Sequence, residues 1–138
     1  MDINDILVSD EALAVIDQGT WVDMSDEAPG LELLVCGLRS ESARKAIKDK
    51  QVIARKKNRG KELTEDQNTS IMKEVLCEVV LKDWRGLKSG GKDLAYDANL
   101  ARNWIMSRSG ERFTELVIAA AQRLDAEADS FVEEVSKN

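Results

Sequence analysis

The stretch from Ile71 to Gly91 constrains this chain more than any other. Ile71, Met72, Val75, Leu76, Val79 and Val80 recur at three- and four-residue steps, the signature of one wide apolar helical face. Trp84 lies four residues past Val80 and extends that face. Thr64-Glu65-Asp66-Gln67 has the form of a capping box, so the pattern predicts a central helix over residues 64–84. Gly86 is placed to adopt the left-handed conformation that follows a helix end, and Gly90-Gly91 opens a loop. A helix that closes on a tryptophan and returns through a short glycine loop predicts an antiparallel partner helix. The structural core it implies contains Leu76, Val80, Trp84, Gly86, Trp104 and Val117.

The remaining elements follow in order. Ser9 caps a short helix from Asp10 to Gln18, which Gly19 ends. Thr20 to Met24 and Leu31 to Leu38 are rich in strand formers and are separated by a turn containing Pro29-Gly30, a β-hairpin pattern. With its leading helix the hairpin occupies residues 9–38. An isolated hairpin is marginal in water, so this one must lie on helices or pair with another chain. Ser40 caps a basic helix over 40–58. Residues 97–136 read as a pair of helices, the first capped by Asp97. The second, about Glu111 to Val135, carries an apolar face from Phe113 through Phe131 to Val135 and is long enough to project or to meet another subunit. These elements predict an α+β, predominantly α-helical fold: one domain over residues 1–138, with a small N-terminal hairpin packed on four to five helices.

Charge is unevenly distributed. Residues 1–38 hold nine carboxylates and no Lys or Arg, whereas residues 39–61 hold ten Lys or Arg against Glu41 and Asp49. Such asymmetry bears on partners and self-association more than on fold. Arg44, Lys45, Lys48, Arg55 and Lys56 are the candidate residues of a surface for a partner or for a second copy. Opposed acidic and basic patches predict weak, salt-dependent, head-to-tail association into a homo-oligomer. Helical cations can also neutralise phosphates. The segment 39–61 has no aromatic residue for base stacking, however, so nucleic-acid association stands as the alternative.

Residue types argue against catalysis. The chain has no histidine, and so lacks the usual general base. Gly90-Gly91-Lys92 lacks the spacing of a phosphate loop, and the acids of residues 1–27 do not alternate around a glycine as a calcium loop requires. Cys36 and Cys77 belong to no paired element and read as small buried hydrophobes of a reducing compartment. No enzyme activity, catalytic residue, metal, cofactor or membrane span is expected.

Several features then occur together in order. Gly19-Thr20-Trp21-Val22-Asp23 precedes an apolar strand, and a Lys/Arg helix follows. A long helix closes on Val80-Leu81-Lys82-Asp83-Trp84-Arg85-Gly86-Leu87, and a glycine loop leads to Leu94-Ala95-Tyr96-Asp97-Ala98-Asn99-Leu100-Ala101. The last helix holds Phe131. Over about residues 10 to 135 this arrangement resembles the tail assembly chaperones of long-tailed bacteriophages. The resemblance implies a non-enzymatic protein of the host cell cytoplasm, absent from the mature virion. Such a protein binds the tape measure protein, prevents its aggregation and helps recruit the tail tube protein.

Overall fold

The protein is described from a computed structural model that places residues 1–137, with side chains through Val135. A 3₁₀ turn at Ile3–Asp5 leads into α1 (Asp10–Gln18). The antiparallel strands β1 (Thr20–Asp23) and β2 (Glu32–Val35) follow, then α2 (Glu41–Lys57) and α3 (Glu65–Val75). A π-helical turn, Leu76–Val80, delivers the chain into β3 (Leu81–Arg85). The short strands β4 (Lys88–Ser89) and β5 (Lys92–Asp93) form a second hairpin, and α4 (Ala98–Met106), α5 (Glu111–Ala126) and α6 (Ala128–Lys137) complete the chain. The fold is α+β and predominantly helical; the described residues form six α-helices, a three-stranded antiparallel sheet and the two-stranded β4–β5 hairpin.

The caps lie where their residue types place them. Ser9, Ser40 and Asp97 accept hydrogen bonds from backbone amides in the first turns of α1, α2 and α4. At α3, Thr64 and Gln67 satisfy each other's backbone amides, so both halves of the capping box are made.

The central helix expected over 64–84 is shorter. It is α-helical only to Val75, and the π-helical turn ends with the Leu81 amide donating to the Leu76 carbonyl. Leu81–Arg85 is then the third strand of a sheet ordered β1-β2-β3, pairing Leu33 with Trp84 and Glu32 with Arg85. The β-branched Val79 and Val80 weaken the helix end, and the unpaired edge of β2 supplies hydrogen-bond partners that a continued helix would leave unsatisfied. Gly86 is accordingly no helix terminator. It sits after a strand at φ +77°, where a β-carbon would collide with the Gly30 carbonyl. The loop at Gly90-Gly91 is the tip of the β4–β5 hairpin and does not join two helices.

The C-terminal helix also departs from its expected course. It breaks at Glu127 into α5 and α6, and so does not run on into solvent. Ala128 on α6 is buried with Ala12 and Ile16 of α1, and Val132 packs against them. The hairpin edge is less open than expected. β3 covers the free side of β2, and at the end of β1 the Arg123 guanidinium donates to the Asp23 carbonyl at 2.6 Å.

Leu76, Val80, Trp84 and Val117 share one buried cluster and half-buried Trp104 packs on it, whereas Gly86 is exposed at the end of its strand and lies outside the core. Trp84 stacks on Trp104 with ring centroids 5.3 Å apart and meets Tyr96 at 4.9 Å and the edge of Phe113 at 5.9 Å. Its indole N–H donates to the Leu94 carbonyl at 2.8 Å. Trp84→Ala would leave a cavity beneath the sheet and strip these ring contacts, a loss of about 3–5 kcal/mol. Equilibrium denaturation is expected to show that loss; an unchanged midpoint would place Trp84 outside the core.

Candidate interaction surface

The basic segment folds into α2, and its N-terminus is anchored from three elements. Ser40, itself buried, accepts from the Ala43 amide at 3.2 Å and donates to the Cys36 sulfur at 3.5 Å. Asp17 of α1 accepts from the Glu41 amide at 3.0 Å. From α5, the Asp125 carboxylate accepts from the Leu38 amide at 2.9 Å and from the Arg39 amide at 3.2 Å. This carboxylate approaches so closely that a β-carbon on Gly37 would push against it and against Ile16, so a larger residue at 37 would disturb the anchor. Burial raises the Asp125 pKa above its ordinary value, while the Arg39 and Leu38 amides pull it back.

Only a narrow stripe of α2 faces the core: Ala43 is buried, and Ala46, Ile47 and Ala54 are half-buried. Lys50 lies beside this stripe, 2.8 Å from Glu78 and 3.1 Å from Glu74, and its pKa is raised chiefly by the Glu78 hydrogen bond. Glu78 also lies 3.7 Å from Arg102, which ties α4 into the same charge group.

The five cations singled out from sequence are all exposed, and the helix divides them. At about 100° per residue, Arg44, Lys48 and Arg55 fall within about 40° of one another, whereas Lys45 and Lys56 lie on the adjoining stripe. Lys45 is tied to Asp49 at 2.9 Å, a solvated pair one turn apart. Among the described residues, Arg44, Lys48, Arg55 and Lys56 make no ion pair.

The acidic N-terminal region does not neutralise them. Glu27 pairs with Arg123 and Glu32 with Arg85, while Asp17 and Asp23 serve backbone amides. Arg85 also lies over the Trp21 ring, 4.1 Å from its centroid, so the outer face of the sheet is closed by its own residues.

Sequence reasoning had not identified a groove of about 440 Å³ between α2 and α3, lined in part by Ile53, Ala54, Lys57, Ser70 and Ile71. The signal was present as Val52-Ile53, two aliphatic residues on an otherwise charged helix; they are 42% and 55% exposed. Among the described residues, no group of three or more His, Cys, Asp or Glu side chains is placed to hold a metal, and no helix is long and apolar enough to cross a membrane.

A protein-family model described as YdaY prophage protein matches residues 38–138. That span begins at the anchored entry to α2 and takes in every later element. No curated protein and no solved structure matches the chain.

The anchor at Asp125 carries a pH signature. Its raised pKa means that the folded chain holds this proton to higher pH than the unfolded chain does. The associated stability is present below the ordinary value of 3.8 and is lost as pH rises through the raised value. Asp125→Asn retains an oxygen acceptor and removes the ionisation. In denaturation series from roughly pH 3 to 7, wild-type stability is expected to fall relative to Asp125→Asn as pH rises. A pH-independent difference would show that the carboxylate is not desolvated.

Proposed function

The chain belongs to the YdaY prophage protein family, and on that premise we propose that it is a phage tail assembly chaperone. It binds the tape measure protein without chemistry, keeps that protein's apolar faces from aggregating, and helps recruit tail tube subunits. It acts in the host cytoplasm and is left out of the finished virion. The observation that carries this reading is the basic helix α2, which is rigidly anchored at its N-terminus yet leaves Arg44, Lys48, Arg55 and Lys56 exposed and without an ion pair among the described residues. A cationic helix of this kind attracts acidic helical partners and raises encounter rates. Its thin buried stripe also means that these side chains contribute little to holding the fold together, which fits a working surface.

The same cations support a second reading, association with nucleic acid through residues 39–61. Phosphate contacts need only helical Lys and Arg. The segment nevertheless lacks an aromatic platform, and Lys50 and Lys45 are already committed to carboxylates.

Co-expression with the tape measure protein of the same prophage separates the two readings. The chaperone reading expects the tape measure protein to stay soluble and to co-purify with this chain. Replacing Lys45, Lys48, Arg55 and Lys56 together by Glu should abolish co-purification without altering the melting temperature. Failure of the wild-type chain to keep the tape measure protein soluble, together with steeply salt-dependent DNA binding, would overturn the chaperone reading in favour of the second.

A further inference from the structure

The break between α5 and α6 has no cause in its own residues. Sharp helix bends are ordinarily found at proline, at glycine or serine pairs, or at a π-bulge. Asp125-Ala126-Glu127-Ala128 contains none of these, and Ala and Glu are strong helix formers. At the joint, Glu127 leaves the helical region, at φ −117° and ψ 27°. Among the described residues its amide still donates to the Arg123 carbonyl at 2.8 Å, but the Ala128 and Asp129 amides make no backbone hydrogen bond into α5. One continuous helix would give them the Leu124 and Asp125 carbonyls. The apolar pattern agrees: in such a helix Leu124, Ala128, Phe131 and Val135 fall within about 60° of one another.

What bends the chain is α1. Ala128 is buried with Ala12 and Ile16, Val132 packs beside them, and the Ser9 hydroxyl donates to the Asp129 carboxylate at 3.4 Å. This small cluster stands apart from the main core, to which α6 adds the edge of Phe131. Local preference for a straight helix and tertiary preference for a bent one therefore oppose each other at one joint. Such a conflict between levels marks a strained or functional element. Straightening within a single chain would uncover Ala12, Ile16, Ala128 and Phe131, so an isolated chain stays bent. A second copy removes that cost, because its α6 carries the same side chains.

We propose that two copies of this chain exchange α6. In the pair, each α5–α6 runs straight as one helix of about 40 Å and lays its Ala128 and Val132 on the α1 of the other copy. The contacts of the bent form are recovered between copies, and each joint gains its two backbone hydrogen bonds. The exchange is reciprocal, so it closes at a dimer about a two-fold axis. Its contact is apolar, unlike the salt-dependent, head-to-tail contact that the charge distribution predicts, and it persists as salt rises. The exchange leaves α2 where it is, so the dimer presents two cationic helices. The inference goes beyond the chaperone reading and does not depend on it. A chain that stays monomeric but still keeps the tape measure protein soluble would leave that reading intact.

Size-exclusion chromatography of the full chain, followed by thiol bridging of each fraction, tests the proposal. Wild type is expected to form a dimer as its concentration rises toward about 1 mM, at low and high salt alike. In the double variant Ser9→Cys/Asp129→Cys, a short bis-alkylating reagent joins the two facing side chains. Under denaturing electrophoresis the monomer fraction should then run as single chains and the dimer fraction as linked pairs. Neither single variant should give linked pairs. Glu127→Gly is an independent arm. Residue 127 is exposed and outside both helices, so the melting temperature should change little. Glycine nevertheless disfavours the straightened joint. With two joints in each dimer, the association constant should fall roughly tenfold or more. A wild-type chain that is monomeric throughout, a double-variant dimer that yields no linked pairs, or a Glu127→Gly chain that dimerises like wild type would overturn the proposal.

Discussion

Trp84 is held from several directions, and much of the molecule is arranged around it. Its backbone belongs to β3, paired with Leu33 of β2. Its ring lies among Tyr96, Trp104 and Phe113, which come from the approach to α4, from α4 itself and from α5. Its N–H reaches the Leu94 carbonyl just past the second hairpin. One side chain thus joins the sheet to the C-terminal helices. Buried aromatics contribute both area and directional ring contacts, and the indole N–H is satisfied within the core. The same sheet carries the chain through Cys36 and Gly37 to Ser40, where α2 begins, so the aromatic cluster and the basic helix are mechanically connected.

Much of this was legible in residue patterns. Ser9, Ser40, Thr64 and Asp97 cap the elements they were expected to cap, and the hairpin of β1 and β2 follows from its alternation and its Pro-Gly turn. The course of residues 76–85 was hidden by a coincidence of spacing. Leu34 pairs with Asp83 and Val35 with Leu81, so Lys82 is an extra residue bulged out of β3. In a regular strand, residues 81 and 84 would face opposite sides. The bulge returns both Leu81 and Trp84 to the buried side, at the three-residue step that a helix also produces. Periodicity therefore reads helix through a strand. The break at Glu127 is hidden in the same manner, because Leu124, Ala128 and Phe131 keep helical steps across it while α6 turns to cover α1.

The candidate surface was partly legible. The cations of residues 39–61 stand out in sequence, and they are exposed on α2. What sequence could not show is how the acids of residues 1–38 are spent. They could have cancelled the basic helix; instead Glu32 and Glu27 serve Arg85 and Arg123, and Asp17 and Asp23 serve backbone amides. Nor could sequence show that α2 has two distinct flanks, one bearing Arg44, Lys48 and Arg55 and the other opening into the groove beside α3. Those assignments depend on which helix lies against α2, a tertiary fact that no local pattern encodes. The chain belongs to a prophage protein family.

The central claim is that the chain leaves its helix at Val80 and enters the sheet, since both the aromatic core and the course of the sheet into α2 depend on it. Nuclear Overhauser contacts across β2 and β3 measure this directly in solution. The account predicts cross-strand backbone contacts from Glu32 to Arg85 and from Leu33 to Trp84, with slowly exchanging amides along the pairing. Helical contacts running unbroken from Val75 through Trp84, with no cross-strand contact to β2, would contradict it.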